Sequence, residues 1–207
     1  SYNDRDNFIL SKGHAAPSLY AVLYDNKIIN KNLFLSDKTY WHPEKSIKGV
    51  DFQTGALGHG LPVGVGIAKY YKVNQINKWV VVMIGDGELN EGSIWESFLI
   101  SKNWKLGNLI IIIDKNNFQA NDKTKRVLSL GNLEKKIKSF DLDLIKINGH
   151  SYKDIDEKFL TLKKNTSPKV IIANTKRNFG ISEIQDKKEF WYVDKSEKKL
   201  NKFKINL

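Results

Sequence analysis

Two polar clusters in this chain each follow a run of apolar residues. Gly85-Asp86-Gly87 follows the run 79–84 within the stretch WVVVMIGDGELNEGSIWE. Asp114-Lys115-Asn116-Asn117 follows the run 109–113. In open α/β sheets, ligands gather beyond the carboxyl ends of the strands. The residue types suit a hard cation such as Mg²⁺ or Ca²⁺, which takes oxygen ligands and completes its shell with phosphate and water. Asp86 would bring the charge and the Asn116 amide a neutral oxygen. The glycines would let backbone N–H groups approach a phosphate closely. Taken alone, GDG could equally be a tight turn with a helix-capping acid. The asparagine pair after a second run favours a metal–diphosphate site.

The elements that must carry these clusters are legible from pattern. The continuous apolar runs at 78–84 and 109–113 predict strands buried on both faces. Further strands are expected at 142–147 and 169–173. Helices are expected over 15–27, with Pro17 in its first turn, and over 61–72, with Pro62 there. A weaker helix is expected at 154–164. Gly64, Gly66 and Ala68 give the second of these helices a small-residue face. Ser93-Ile94-Trp95-Glu96 has the form of a capping box and would open a helix reaching about residue 104. Residues 33–46 read as irregular, and Gly55 to Gly60 as a glycine-rich loop. Strands alternating with helices predict a three-layer α/β/α fold with a mostly parallel sheet and right-handed crossovers. If the two central strands are neighbours, they lie about 4.8 Å apart, and Asp86 and Asn116 can then serve one ion.

The bulk numbers bound the class. The 207 residues suffice for one domain with a sizeable core. We expect that domain over 1–186 and a charged tail over 187–207. No apolar run approaches the roughly 18 residues of a membrane span. The absence of cysteine excludes disulfides and thiolate metal sites. With no signal-peptide pattern, a cytoplasmic setting is expected. The net charge of +11 comes from scattered lysines, which favours a solvated basic surface that attracts phosphorylated substrates over nucleic-acid binding.

GDG, then 28 residues (88–115), then Asn-Asn resembles the thiamine diphosphate-binding motif. Phe8-Ile9-Leu10-Ser11-Lys12-Gly13-His14-Ala15 resembles the LSKGHA stretch of transketolases. Trp41-His42-Pro43-Glu44 is similar to their GHPE, and residues 49–60 to their GVE and TGxLGQG stretches. Residues 85–92 are similar to GDGELQEG, and Asn148-Gly149-His150 to the DGH turn. The resemblance runs in order from Asn7 to about Ser182. It identifies the chain as resembling the amino-terminal, diphosphate-binding half of a transketolase, with the thiamine diphosphate-binding fold.

The resemblance implies roles at matched positions. Asp86, Asn116 and the backbone carbonyl of Phe118 would hold Mg²⁺. Gly87, Glu88 and Asn116 belong to the cofactor-binding set, with Gly55, Ala56 and Leu57 lining the thiamine. His14 would contact cofactor and reacting centre, and His42 the sugar. Glu91 matches an acid at the dimer interface. His59 stands where the family usually has glutamine, and His150 is expected to be structural.

Three departures shape the functional expectation. The family's upstream SGH histidine falls before residue 1. No histidine follows His150, so the role of the family's WH histidine would pass to Trp191 or Tyr192. A phenol with an ordinary pKa near 10 shuttles protons poorly at neutral pH. The pyrimidine-binding domain is not in these residues, which implies a second subunit carrying it and a C-terminal domain, in an α2β2 heterotetramer. The expected activity is transfer of a two-carbon ketol unit from a ketose phosphate to an aldose or aldehyde, with a nucleotide-linked sugar as one conceivable acceptor. Alternatives are a deoxyxylulose phosphate synthase-like or 2-oxo acid dehydrogenase-like enzyme, or a decayed, non-catalytic scaffold.

Overall fold

The structure, a computed structural model, describes residues 4–36, 41–120 and 122–187. Trp191 and Tyr192, the expected substitutes for the absent histidine, lie outside the described residues, as does the tail beyond 187.

Five parallel strands form one sheet in the order β1 (Asn7–Leu10), β2 (Val80–Gly85), β3 (Leu109–Lys115), β7 (Lys169–Asn174), β6 (Asp143–Asn148). The four expected strands are present within two residues of their expected bounds. The edge strand β1 is additional. The register sets Gly85 beside Asp114, and Asp114 beside Ala173. The polar clusters of β2 and β3 thus end side by side.

One face of the sheet is covered by α3 (Gly60–Val73), α4 (Gly92–Asn103) and α6 (Leu133–Lys138). Val80, Val82, Ile84, Ile111 and Ile113 pack there against Leu61, Val65, Phe98 and Ile137. On the other face, Ile110, Ile112, Ile147 and Ile171 meet Ile155 and Phe159 of α7 (Tyr152–Leu160). That cover is thinner. Val81 and Met83 are only half-buried, so β2 is fully buried on one face and not on both. A separate cluster binds α1 (Ala16–Asp25) to the following loop through Tyr20, Leu23, Ile29, Ile47 and Val50.

Two local readings change. The region expected to be irregular opens with a short helix, α2 (Lys31–Phe34), capped by Asn30. The expected capping box does not form: α4 starts at Gly92 with Glu91 at its cap position. The Ser93 hydroxyl instead donates to the Gly58 carbonyl, 2.7 Å away on the glycine-rich loop. A cap is a local bond, and here a partner from a distant loop outcompetes it. Between β3 and β6 lie the hairpin β4 (Phe118–Gln119) and β5 (Asp122–Lys123) and the short helix α5 (Thr124–Val127). No helix among the described residues is long and apolar enough to cross a membrane.

Candidate active site

The carboxyl ends of β1, β2, β3 and β7 bring the sequence-predicted residues to one rim of the sheet. Asp86 stands where β2 turns into a 3₁₀ turn, Gly87–Asn90. It is 3% exposed. Its Oδ1 accepts from the Gly87 N–H at 2.9 Å and its Oδ2 from the Asn117 N–H at 2.7 Å. The GDG turn and the asparagine turn are therefore stitched together through one carboxylate. Burial pushes the Asp86 carboxyl up to about 6, opposed by these two N–H groups and reinforced by the nearby Asp114 charge. The Asn116 Oδ1 accepts from the Phe118 N–H at 2.9 Å, which folds the turn so that Asn117 takes a positive φ of 64°. A Cβ at Gly87 would stand 2.7 Å from Gln119 Cγ, so any larger side chain there would have to displace Gln119.

These residues fit a divalent cation. Asp86 is in no ion pair among the described residues. The adjacent Asp114 is already engaged by Lys12 Nζ and by the Thr175 hydroxyl. Among the described residues, no three or more His, Cys, Asp or Glu side chains are grouped so that they alone could hold a metal ion. A metal here would take one carboxylate, amide and backbone oxygens, and phosphate, which is the Mg²⁺ preference. Two of the roughly four lone-pair positions of a carboxylate stay available on Asp86.

Two histidines lie on the β1 side of the rim. His14 lies on a 3₁₀ turn, Gly13–Ala15, just past β1. Its imidazole opens to solvent on one side, but the surrounding protein, then the Lys12 ammonium, push it down to about 4. It is thus neutral at pH 7. His42 is fixed from behind. Its carbonyl accepts from the Tyr20 hydroxyl at 3.2 Å, and that hydroxyl accepts from the Glu44 N–H at 2.9 Å. Its ring packs against Gly13, where a Cβ would stand 2.8 Å from His42 Cδ2, and lies over Gly55. Gly55, Ala56 and Leu57 form an exposed ledge beside it.

The remaining predicted residues are dispersed in role. Glu91 is exposed at the start of α4. Glu88 is 2% exposed and turned inward onto protein donors. The His59 Nδ1 lies 3.1 Å from the Leu57 carbonyl, a local contact within the loop. His150 has the structural role expected: its Nε2 accepts from the Lys176 N–H at 2.7 Å, and its ring stacks on Phe179 at 3.7 Å. Arg177 joins the site without a signal in the sequence. It is 8% exposed, its guanidinium lies 5.3 Å from the Phe118 ring centroid, and its Nη1 donates to the Ala120 carbonyl at 2.8 Å. Its charge also lowers the His14 pKa. In a lysine-rich chain one more cation does not stand out, and only its burial marks it.

With fold and site together, the class is defined. Residues 1–204 match the family model of the transketolase thiamine diphosphate-binding domain, and the chain belongs to that family. A protein of Actinobacillus succinogenes, named as one of the subunits of apulose-4-phosphate transketolase, is 37% identical over 196 residues, 90% of this chain and 70% of its own. Its namesake from Phocaeicola vulgatus is 34% identical, over 87% of this chain and 66% of its own. Human transketolase is 36% identical over 92% of this chain but only 31% of its own length. The crystal structure of Campylobacter jejuni transketolase superposes with a TM-score of 0.79 at 31% identity, covering 91% of this chain and 32% of that one. The chain thus spans about two thirds of the two apulose-4-phosphate transketolase subunits and under a third of the longer transketolases.

Proposed function

We propose that this chain is the thiamine diphosphate-binding subunit of a split transketolase, which moves a two-carbon ketol unit from a ketose phosphate to an aldose or aldehyde acceptor. The observation that supports it most is the junction at Asp86, where one buried carboxylate joins the two turns whose types and spacing suit a metal-bound diphosphate. Bound thiamine diphosphate supplies the centre that stabilises a carbanion when the C–C bond beside a ketose carbonyl breaks.

The chain's own residues would hold and orient. Asp86, the Asn116 amide oxygen and the Phe118 backbone carbonyl would ligate Mg²⁺, with Ca²⁺ as a substitute. Gly87 and Asn116 would face the diphosphate, and Arg177 would add positive charge on the Phe118 side. Gly55, Ala56 and Leu57 would line the thiamine. His14, neutral at pH 7, can accept or donate a hydrogen bond near the reacting carbon without bringing a charge there. His42 would face the sugar from a fixed backbone.

The relatives named as transketolase subunits support a second polypeptide, which would carry the pyrimidine-binding and C-terminal domains. An α2β2 heterotetramer in the cytoplasm is the assembly we propose, with Glu91 near the interface. With that partner present, apulose 4-phosphate and xylulose 5-phosphate are the donors to offer against pyruvate. Consumption of a ketose phosphate only when an aldehyde acceptor is added is the expected result. Consumption of pyruvate alone would overturn the assignment.

A further inference from the structure

Glu88 is the most enclosed acid of the rim, and both oxygens of its carboxylate accept from protein donors. Its Oε1 accepts from the Ser11 hydroxyl at the end of β1 and from the Gly58 N–H at 2.9 Å. Its Oε2 accepts from the Gly85 N–H at 3.3 Å. Ser11 is fully buried, and Glu88 forms no ion pair among the described residues. Three chain segments far apart in sequence thus converge on one carboxylate: the β1 end, the glycine-rich loop and the β2 end.

Gly58 is gripped from its other side as well. Its carbonyl accepts from the Ser93 hydroxyl at 2.7 Å. Its φ is +79°, and a Cβ would stand 2.5 Å from Ser93 Oγ and 2.8 Å from Glu91 Cβ. The near end of the same loop is tied to β1 by the Thr54 hydroxyl, which donates to the Leu10 carbonyl at 2.6 Å. Between these anchors only Gly55, Ala56 and Leu57 stand exposed.

We infer that Glu88 is a positioning residue that sets the height and angle of the 55–57 ledge relative to the Asp86 turn. This rests on the reading of that ledge as the thiamine-lining surface. Hydrogen bonds to a carboxylate are stronger than neutral ones. A site needs its supporting shell held within about 0.5 Å. Loss of the carboxylate would loosen the ledge while the strands, held by their own ladders and core, stay paired. Glutamine keeps an oxygen for Ser11 and Gly58 but turns an N–H₂ toward the Gly85 N–H, so it repairs the clamp only in part.

The test uses the chain together with its partner and compares Glu88→Gln, Glu88→Ala, Ser93→Ala and Asp86→Asn. The readouts are thiamine diphosphate half-saturation by calorimetry with Mg²⁺, hydrogen exchange of segment 54–60 without cofactor, and the melting temperature. Expected are a half-saturation concentration raised about tenfold for Glu88→Gln and more for Glu88→Ala, with faster exchange at Gly58 in both. Ser93→Ala, which releases the other side of Gly58 without touching a charge, should shift half-saturation in the same direction. Asp86→Asn should abolish metal-dependent uptake while leaving Gly58 protected. Half-saturation within twofold of wild type for Glu88→Gln and Ser93→Ala overturns the inference, whether or not Glu88→Ala folds. A wild-type complex that takes up no thiamine diphosphate while its Gly58 stays protected overturns the reading of the site itself, and the positioning role with it.

Discussion

His14 shows how a residue's surroundings decide what it can do. A free imidazole is about a quarter charged at pH 7 with an ordinary pKa near 6.5. Here the packed surroundings and Lys12 drive the pKa down to about 4. The sign follows directly. The folded chain binds fewer protons at this site than the unfolded chain between about pH 4 and 6.5, so stability falls as pH drops through that window. The expected outcome is an imidazole resonance that stays in its neutral position down to at least pH 6 in an NMR titration. Protonation of His14 with a midpoint at or above the ordinary value would refute the assignment. Lys12 and Asp114 set this environment, and their pairing across 102 positions of sequence cannot be read from the chain. The spacing of Asp86 and Asn116 can, because each follows a strand that announces itself.

Among the elements, α3 carries a pair of glycines that the sequence treats alike and the fold does not. Both belong to one expected small-residue face. Gly64 lies against β2, where a Cβ would stand 2.3 Å from Val82 Cγ2. Gly66 faces outward with nothing within 4 Å. Gly64→Ala should therefore destabilise the fold by about 1–3 kcal/mol through overpacking. Gly66→Ala should stabilise it by about 0.5–1 kcal/mol by lowering the entropy of the unfolded chain and raising helix propensity. Chemical denaturation of the two variants reads both signs, and equal effects would show that α3 packs otherwise. The same scale explains which elements escape a reading of the sequence. Continuous apolar runs mark β2, β3 and β7, while β6 is interrupted by Lys146 and shows only a shorter apolar stretch. β1 has four residues at a sheet edge, too few to show a period. The Ser93 bond to Gly58 spans 35 positions, beyond any local rule for helix starts.

At the scale of the whole molecule, the rim is open. Trp41 is 73% exposed beside His42, and Leu57 is exposed on the ledge. Leu99 and Ile100 lie outward on α4. Exposed apolar side chains on the rim and on α4 suit burial by another polypeptide. Ketol transfer should therefore be absent from this chain by itself. It should rise as partner is added and level off at one copy of each. A plateau at another ratio would argue against the α2β2 assembly, and turnover without partner would argue against the need for one.

The ion pair at the rim also orders events in time. Asp114 takes its partners from both sides of the chain: Lys12, 102 residues before it, and Thr175, 61 residues after it. Parallel strands joined across such separations close slowly. During synthesis, Asp86 and Asn116 are made before Thr175, so the neighbouring Asp114 lacks one of its two partners until β7 is complete. A nascent chain stopped before Thr175 should therefore leave the rim unfinished at Asp114, however well β1 and β2 have already paired.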